Sequence, residues 1–76
     1  MYIETFGAKL KRARINAGYT QQQLAAETKI KQSQISKFEN GIQEPRIEQI
    51  GILADFLAVS TDWLIGTEGE NRRQTQ

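Results

Sequence analysis

The chain has 76 residues, enough for one small domain of modest stability, because a domain of this size buries only about 60–65% of its extended-chain surface. It contains no cysteine and no histidine, so disulfides, thiolate metal sites and the commonest general acid–base residue are all excluded. We therefore expect no enzyme and no metal or cofactor site. No apolar run approaches the ~20 residues that span a bilayer, and the N-terminus lacks a signal-peptide pattern, so we expect a cytoplasmic protein without a membrane partner.

The net charge is only +1, but the charges are unevenly distributed along the chain. Up to residue 46, eight Lys and Arg outnumber four Glu, which gives +4. From residue 47 onward, two Arg face five acidic residues, which gives −3. This asymmetry indicates one side that faces a polyanion, although an ordinary scatter of solubilising charge would also produce it.

Apolar residues recur at helical spacing, and a first helix is expected from about Glu4 to Gly18. Gly18 suits the left-handed conformation that ends many helices. The inner stripe of this helix has four apolar residues: Phe6, Leu10, Ala13 and Ala17. The exposed face carries three basic residues: Lys9, Lys11 and Arg12.

A second helix is expected to begin at Thr20 and to end near Thr28. Thr20 with Gln23 three residues later has the spacing of a capping box. Tyr19 and Leu24 flank the same start as a hydrophobic staple. These signals mark the start of this helix more completely than the start of any other.

A third helix is expected from about Gln32 to Asn40, with Ile35 and Phe38 toward the core and Gly41 as its end. Residues 42–45 form a loop, because proline disfavours helix in the residue before it. A fourth helix runs from about residue 47 to 58, and a short fifth helix is capped by residue 60 and ends near residue 66. The inner face of the fourth helix has five members: Ile47, Ile50, Leu53, Ala54 and Leu57. The pattern predicts an all-α, compact five-helix domain.

The segment from Thr20 to Gly41 has the form of a helix-turn-helix, two helices with a break of three or four residues. If the apolar positions of the third helix and Glu39 face inward, its outward strip consists of Gln32, Ser33, Ser36 and Lys37. Gln pairs bidentately with adenine and Lys donates to guanine, so this strip suits contact with bases in a major groove. A solvated helix face is the alternative, but such a face usually mixes Glu with Lys, and this strip has no acid.

With these residues in view, the sequence resembles the Cro/phage-repressor type of helix-turn-helix protein, the Xre family. The resemblance covers roughly residues 6 to 66 and implies a lambda-repressor-like DNA-binding domain at residues 1–66. Because the residues that follow include nothing apolar, we expect a polar, disordered tail at 67–76. The matching positions are Gly7, Leu10, Arg14, Gly18, Thr20, Gln21, Leu24, Ala25, Ile30, Ile35, Ser36, Glu39, Asn40, Gly41, Pro45, Leu53, Ala54, Leu57, Val59, Ser60, Asp62, Trp63 and Leu64.

The resemblance also implies roles for individual residues. Gln21 matches a position that grips a phosphate and braces the first base-contacting side chain. Arg14 and Glu39 match a structural pair that links the first and third helices, and Arg14 is also a candidate for touching a phosphate. The base-contacting positions are Gln32, Ser33 and Lys37. The backbone-contacting positions that it implies are Gln21, Asn40 and Arg46, and we add Ser36 from the outward strip and Lys31 from the turn before the third helix. For Trp63 a core role is the main expectation, and the candidates for a dimer interface are Trp63, Leu64 and Ile65.

Two residues depart from the family pattern. Lys29 stands where a turn glycine is usual, and a left-handed lysine there is less stable than glycine by about 1 kcal/mol. Lys31 stands where Ser or Thr usually caps the recognition helix, and loss of that cap costs about 1 kcal/mol. We expect Lys31 to face DNA, so that attraction to phosphate offsets the missing cap.

These observations predict a homodimeric regulator, most simply a repressor, that binds a pseudo-palindromic operator in the promoter of a prophage, mobile element or operon. The alternative is a protein-interaction module or antitoxin-type regulator that acts through a partner protein, with the acidic part from Glu48 to Glu70 as its interface. A nuclease is not expected, because Asp55, Asp62 and Glu68 are not spaced to converge on one helix face.

Overall fold

The computed structural model describes residues 4–66, which form five α-helices and no strand. The expected all-α, five-helix architecture is confirmed. The tail expected at residues 67–76 lies outside the described residues. Across this part of the chain, no helix is long and apolar enough to cross a membrane. The helices are α1 (Phe6–Asn16), α2 (Gln21–Thr28), α3 (Gln32–Glu39), α4 (Ile47–Leu57) and α5 (Thr61–Ile65).

Helix α1 is shorter at both ends than the sequence suggested. Thr5 is its N-cap, and the Thr5 hydroxyl accepts a hydrogen bond from the Ala8 N–H at 3.1 Å. The helix ends at Asn16, and Gly18 adopts the expected left-handed conformation with φ +86°. Ala17 was assigned to the inner stripe, but it is exposed because it forms the C-cap, where the chain leaves the helix.

The start of α2 follows the predicted local signals. The Thr20 hydroxyl accepts from the Gln23 N–H at 3.0 Å, and the Gln23 side chain accepts from the Thr20 N–H at 2.9 Å, which completes the capping box. At the other end, the buried Thr28 hydroxyl donates to the Leu24 carbonyl at 2.8 Å and accepts from the Ile30 N–H at 3.2 Å. These bonds fix the turn that leads from α2 into α3.

The core lies between the five helices, and six of its side chains are fully buried: Phe38, Leu10, Leu24, Ile35, Leu53 and Leu64. The inner face of α4 is confirmed for Leu53, Ala54 and Leu57, while Ile50 is partly buried. Ile47 was expected on this face but is 84% exposed. It lies in the first turn of α4, about 70° around the helix from the centre of the buried stripe, where none of the other four described helices covers it.

Helices α1 and α3 approach each other at Gly7. A Cβ atom on Gly7 would lie 2.3 Å from the Glu39 carbonyl oxygen and 2.7 Å from that of Phe38. Any side chain at this position would therefore push the end of α3 away from α1. The crossing fixes where the C-terminal end of α3 stands in the domain.

Candidate nucleic-acid interface

Helix α3 has one buried side and one open side. Ile35 and Phe38 are both 0% exposed, so the inner side is locked in the core. Gln32, Ser33 and Lys37 point away from that core and are exposed. Three of the four residues of the outward strip expected from the sequence therefore stand clear of the described part of the fold, as entry into a groove requires, whereas Ser36 is partly buried.

The N-terminal end of α3 combines positive charge with an incomplete cap. Lys31 is the N-cap residue, it is exposed, and its side chain makes no capping hydrogen bond. The helix dipole adds partial positive charge at the same end, which favours a nearby phosphate. Lys29 adopts the left-handed conformation with φ +65°, which a glycine would adopt more readily. Both departures from the family pattern thus lie in the turn before α3.

A buried polar network holds the other end of α3. Arg14 Nε lies 2.6 Å from Glu39 Oε2, and Arg14 Nη2 lies 3.2 Å from Glu39 Oε1. Arg14 Nη1 donates to the Tyr19 carbonyl at 2.9 Å. The Arg14 and Glu39 side chains are only 10% and 3% exposed. Arg14 thus pairs with Glu39 as the resemblance implied. Its side chain is only 10% exposed and each of its three nitrogens already donates a hydrogen bond within the protein, so it is not placed to bind a phosphate, which corrects that part of the expectation.

Gln21 takes part in the same network. Its side-chain Nε2 donates to Glu39 Oε1 at 3.0 Å, so the N-terminal end of α2 is tied to the C-terminal end of α3. The bracing of Gln32 expected from the resemblance is not seen among the described residues. The 18-residue separation of Gln21 and Glu39 has no local sequence signal, so only the fold reveals this contact. Glu39 therefore sets the relative position of both helices of the motif.

The remaining expected backbone contacts lie beyond the last turn of α3. Asn40 is exposed at the C-cap, and its side-chain amide donates to the partly buried Ser36 hydroxyl at 3.4 Å. Arg46 is exposed at the N-cap of α4, where its N–H donates to the Gln49 side chain at 2.9 Å. Since the Arg46 guanidinium takes no part in that cap, it remains available to an anion.

Comparison with known proteins assigns the family. A family model described as helix-turn-helix matches residues 10–64. The HTH-type transcriptional regulator ImmR of Bacillus subtilis is 32% identical over 69 residues, which are 91% of this chain and 54% of ImmR. The SPbeta prophage-derived regulator YonR of the same organism is 38% identical over 66 residues, 86% of this chain and 61% of YonR. The chain belongs to the Xre type of helix-turn-helix regulators.

Further matches place this Xre-type chain among longer proteins. The HTH-type transcriptional activator BcrR of Enterococcus faecalis is 33% identical over 63 residues, 83% of this chain and 31% of BcrR. The chain thus spans between about a third and three fifths of the length of these curated relatives. A hypothetical transcription factor, NHTF from Neisseria, has the same fold, with a TM-score of 0.75 at 20% identity over 92% of this chain and 80% of its own.

The dimer candidates of this Xre-type domain differ in their accessibility. Leu64 is 0% exposed, so it belongs to the core, and the expectation that it contacts a second copy is wrong for this conformation. Ile65 is 45% exposed and lines a groove together with Phe6, Pro45 and Ile50. Of the α5 candidates, Ile65 therefore offers the clearest apolar surface to a partner.

Trp63 contacts two basic side chains of α1. Lys9 Nζ donates to the Trp63 carbonyl at 3.0 Å and lies 5.3 Å from the centre of the indole ring. The Arg12 guanidinium lies 5.4 Å from the same centre. Arg12 also pairs with Glu4 at 2.6 Å, and this hydrogen bond lowers the pKa of the Glu4 carboxyl. Lys9 was expected on the exposed basic face of α1. It is instead partly buried, and its side chain connects α1 to α5.

Proposed function

We propose that this chain binds double-stranded DNA in a sequence-specific manner as a homodimer in the cytoplasm, and that it represses the promoter it occupies. The observation that carries the proposal is the open, acid-free strip on α3, defined by Gln32, Ser33 and Lys37. A two-fold dimer presents two such helices to successive major grooves, so the half-sites of its operator lie about 34 Å apart and form a pseudo-palindrome.

The contacts divide into two classes. The α3 strip contacts base edges, with Gln32 suited to adenine and Lys37 to guanine. Residues around the ends of α2 and α3 contact the sugar–phosphate backbone and set the register of the domain. The backbone class contains Gln21, Lys31, Ser36, Asn40 and Arg46.

The dimer contact is proposed at the groove around Ile65. Pro45 and Ile50 share this groove, and the 84% exposed Ile47 lies one turn before Ile50 on α4. Pairing of these apolar surfaces across a two-fold axis would remove them from water. In such a dimer Ile47, which is exposed in the monomer, would be buried at the interface.

Repression follows from simple occupancy of a promoter. The names of two relatives support a regulator, and the prophage origin of YonR supports a prophage or mobile-element promoter. BcrR is named an activator, so the direction of regulation requires its own assay. A reporter gene downstream of the selected operator, with and without the chain, distinguishes the two directions.

Selection of bound sequences from a pool of random duplexes tests the proposal most directly. We expect an enriched pseudo-palindrome with half-sites about one helical turn apart, and an affinity that falls steeply with salt because phosphate contacts release counterions. Ile65→Asp should abolish the dimer in sedimentation experiments and weaken binding to the full site more than to a half-site. Absence of any enriched sequence, or an affinity indifferent to salt, would contradict DNA recognition.

A further inference from the structure

Helix α4 carries an exposed face on the side opposite its buried stripe. Ile52 and Phe56 lie there with 37% and 41% of their surface exposed. Glu48 and Asp55 lie along one edge of this apolar pair and are also exposed. At 3.6 residues per turn these four side chains fall within about 100° of the helix circumference. We call this set of four residues the outer face of α4.

The carboxylates on this face have no basic side chain as partner within residues 4–66, and only Glu48, in the first turn, lies where the helix dipole favours a negative charge. Helix α4 contains no Lys or Arg between Ile47 and Leu57. Glu48 and Asp55 have no ion pair or hydrogen bond through their carboxylates within residues 4–66. Two partly exposed apolar side chains thus lie beside two carboxylates that have no partner in the described part of the chain.

Two possible occupants are disfavoured by this charge. The phosphates of DNA would be repelled by both carboxylates. A second copy of the chain, with the same face paired across a two-fold axis, would set Glu48 and Asp55 of one copy against those of the other, and like charges brought together in this way are destabilising. A binding partner that is complementary to this face has positively charged side chains beside apolar ones.

We propose that the outer face of α4 is a docking surface for an amphipathic helix of another protein, one that carries Lys or Arg beside its apolar residues. Such a helix packs its apolar stripe on Ile52 and Phe56 while its cations pair with Glu48 and Asp55. This surface is distinct from the groove around Ile65 and from the DNA-facing strip of α3.

The apolar part of the docking surface lies away from the proposed phosphate contact at the start of α4. Arg46 marks the end of α4 that is proposed to reach a phosphate. At a rise of 1.5 Å per residue, Ile52 and Phe56 lie about 8 and 14 Å along the axis from the first residue of α4. A partner bound there can change the action of the regulator at its operator without displacing it.

The test uses the full chain and two synthetic helical peptides of about 15 residues. Both peptides carry the same stripe of leucines along one side of the helix. In one peptide the residues beside this stripe are lysines, and in the other they are glutamates. Fluorescence anisotropy of the labelled peptides gives the two affinities, and amide chemical shifts map the contact. We expect the lysine peptide to bind at least about tenfold more tightly, with shifts centred on Ile52 and Phe56. Binding of neither peptide, or equal binding of both, overturns the proposal.

Variants distinguish binding at the docking surface from nonspecific binding to any exposed apolar residue. Phe56→Ala should weaken the lysine peptide about tenfold, whereas Ile15→Ala, at a 56% exposed isoleucine on α1, should leave it unchanged. Asp55→Lys keeps the apolar residues and should shift the preference toward the glutamate peptide. Circular dichroism verifies the fold of each variant. Equal losses for Phe56→Ala and Ile15→Ala, or an unchanged preference in Asp55→Lys, contradict the proposal.

Discussion

The outer surfaces of α3 and α4 have the same architecture and opposite chemistry. Each lies on a helix whose other side is buried in the common core. The strip on α3 has hydrogen-bonding and basic side chains with no acid, whereas the outer face of α4 has apolar and acidic side chains with no base. The same packing principle thus supports two surfaces that suit different kinds of partner.

The two helices also differ in how they are held. The end of α3 depends on the buried Arg14–Glu39 pair and on a backbone contact that only Gly7 permits. Helix α4 is held by the apolar side chains of Leu53, Ala54 and Leu57. Polar networks of the first kind require every partner, so the position of α3 should be the more sensitive of the two to single substitutions.

The largest effect is expected from Glu39→Ala. It leaves Arg14 buried at 10% exposure without its carboxylate, and breaking a buried pair in this way lowers the free energy of unfolding by about 3–5 kcal/mol. Glu48→Ala removes an exposed glutamate from α4 and should change that free energy by about 1 kcal/mol or less. Urea denaturation measures both. Similar losses for the two variants would remove the distinction between the helices.

A matched pair of glycine substitutions sharpens the same contrast. Gly7→Ala places a methyl group against the backbone of α3 and should destabilise the domain by at least about 1–3 kcal/mol. Gly51→Ala, in α4, meets nothing within 4 Å and should stabilise the domain by about 0.5–1 kcal/mol, because alanine favours helix. Thermal unfolding should therefore shift in opposite directions, and a shared direction would contradict the packing described.

Substitutions of Lys37 and Asn40, on and just after α3, are expected to affect different properties of DNA binding: sequence specificity for Lys37 and overall affinity for Asn40. Lys37→Ala should reduce discrimination at one base position by about 1–3 kcal/mol. Asn40→Ala should weaken specific and random DNA alike, since a phosphate contact carries no direct sequence information. Titrations with operator and random duplexes measure the difference, and Ile52→Ala on α4 serves as a control that should change neither. Equal losses of discrimination for Lys37→Ala and Asn40→Ala would rule out this division.

Local signals in the sequence predicted most of the fold. Thr20 with Gln23, Gly18 and Ser60 each act within one helical turn, so the ends of helices could be placed to within about two residues. Because glycine is usual at position 29, a left-handed Lys29 was only one possibility from the sequence, and the structure shows that it occurs. The exposure of Ile47 was not expected, because the spacing of apolar residues does not show that this first-turn residue lies at the margin of the buried stripe.

The site was less predictable because its parts are distant in sequence. The strip on α3 followed from the periodicity that buries Ile35 and Phe38. The bond from Gln21 to Glu39 and the close approach at Gly7 depend on how helices cross, which no local pattern encodes. The burial of Leu64 likewise depends on the packing of α5 on the core.

The smallest effect concerns Lys31, where stability and DNA affinity are expected to oppose each other. Lys31→Ser supplies the missing N-cap of α3 and should raise the free energy of unfolding by about 1 kcal/mol. If Lys31 contacts a phosphate, the same change should weaken DNA binding and make the slope of log affinity against log salt shallower by about 1. Lys11→Ser, at an exposed lysine on α1, is the control for loss of charge and should move neither quantity comparably. A Lys31→Ser variant that gains stability and keeps its salt dependence would show that the lysine contributes nothing to the DNA-facing surface, and α3 would then lack the phosphate anchor at its N-terminal end.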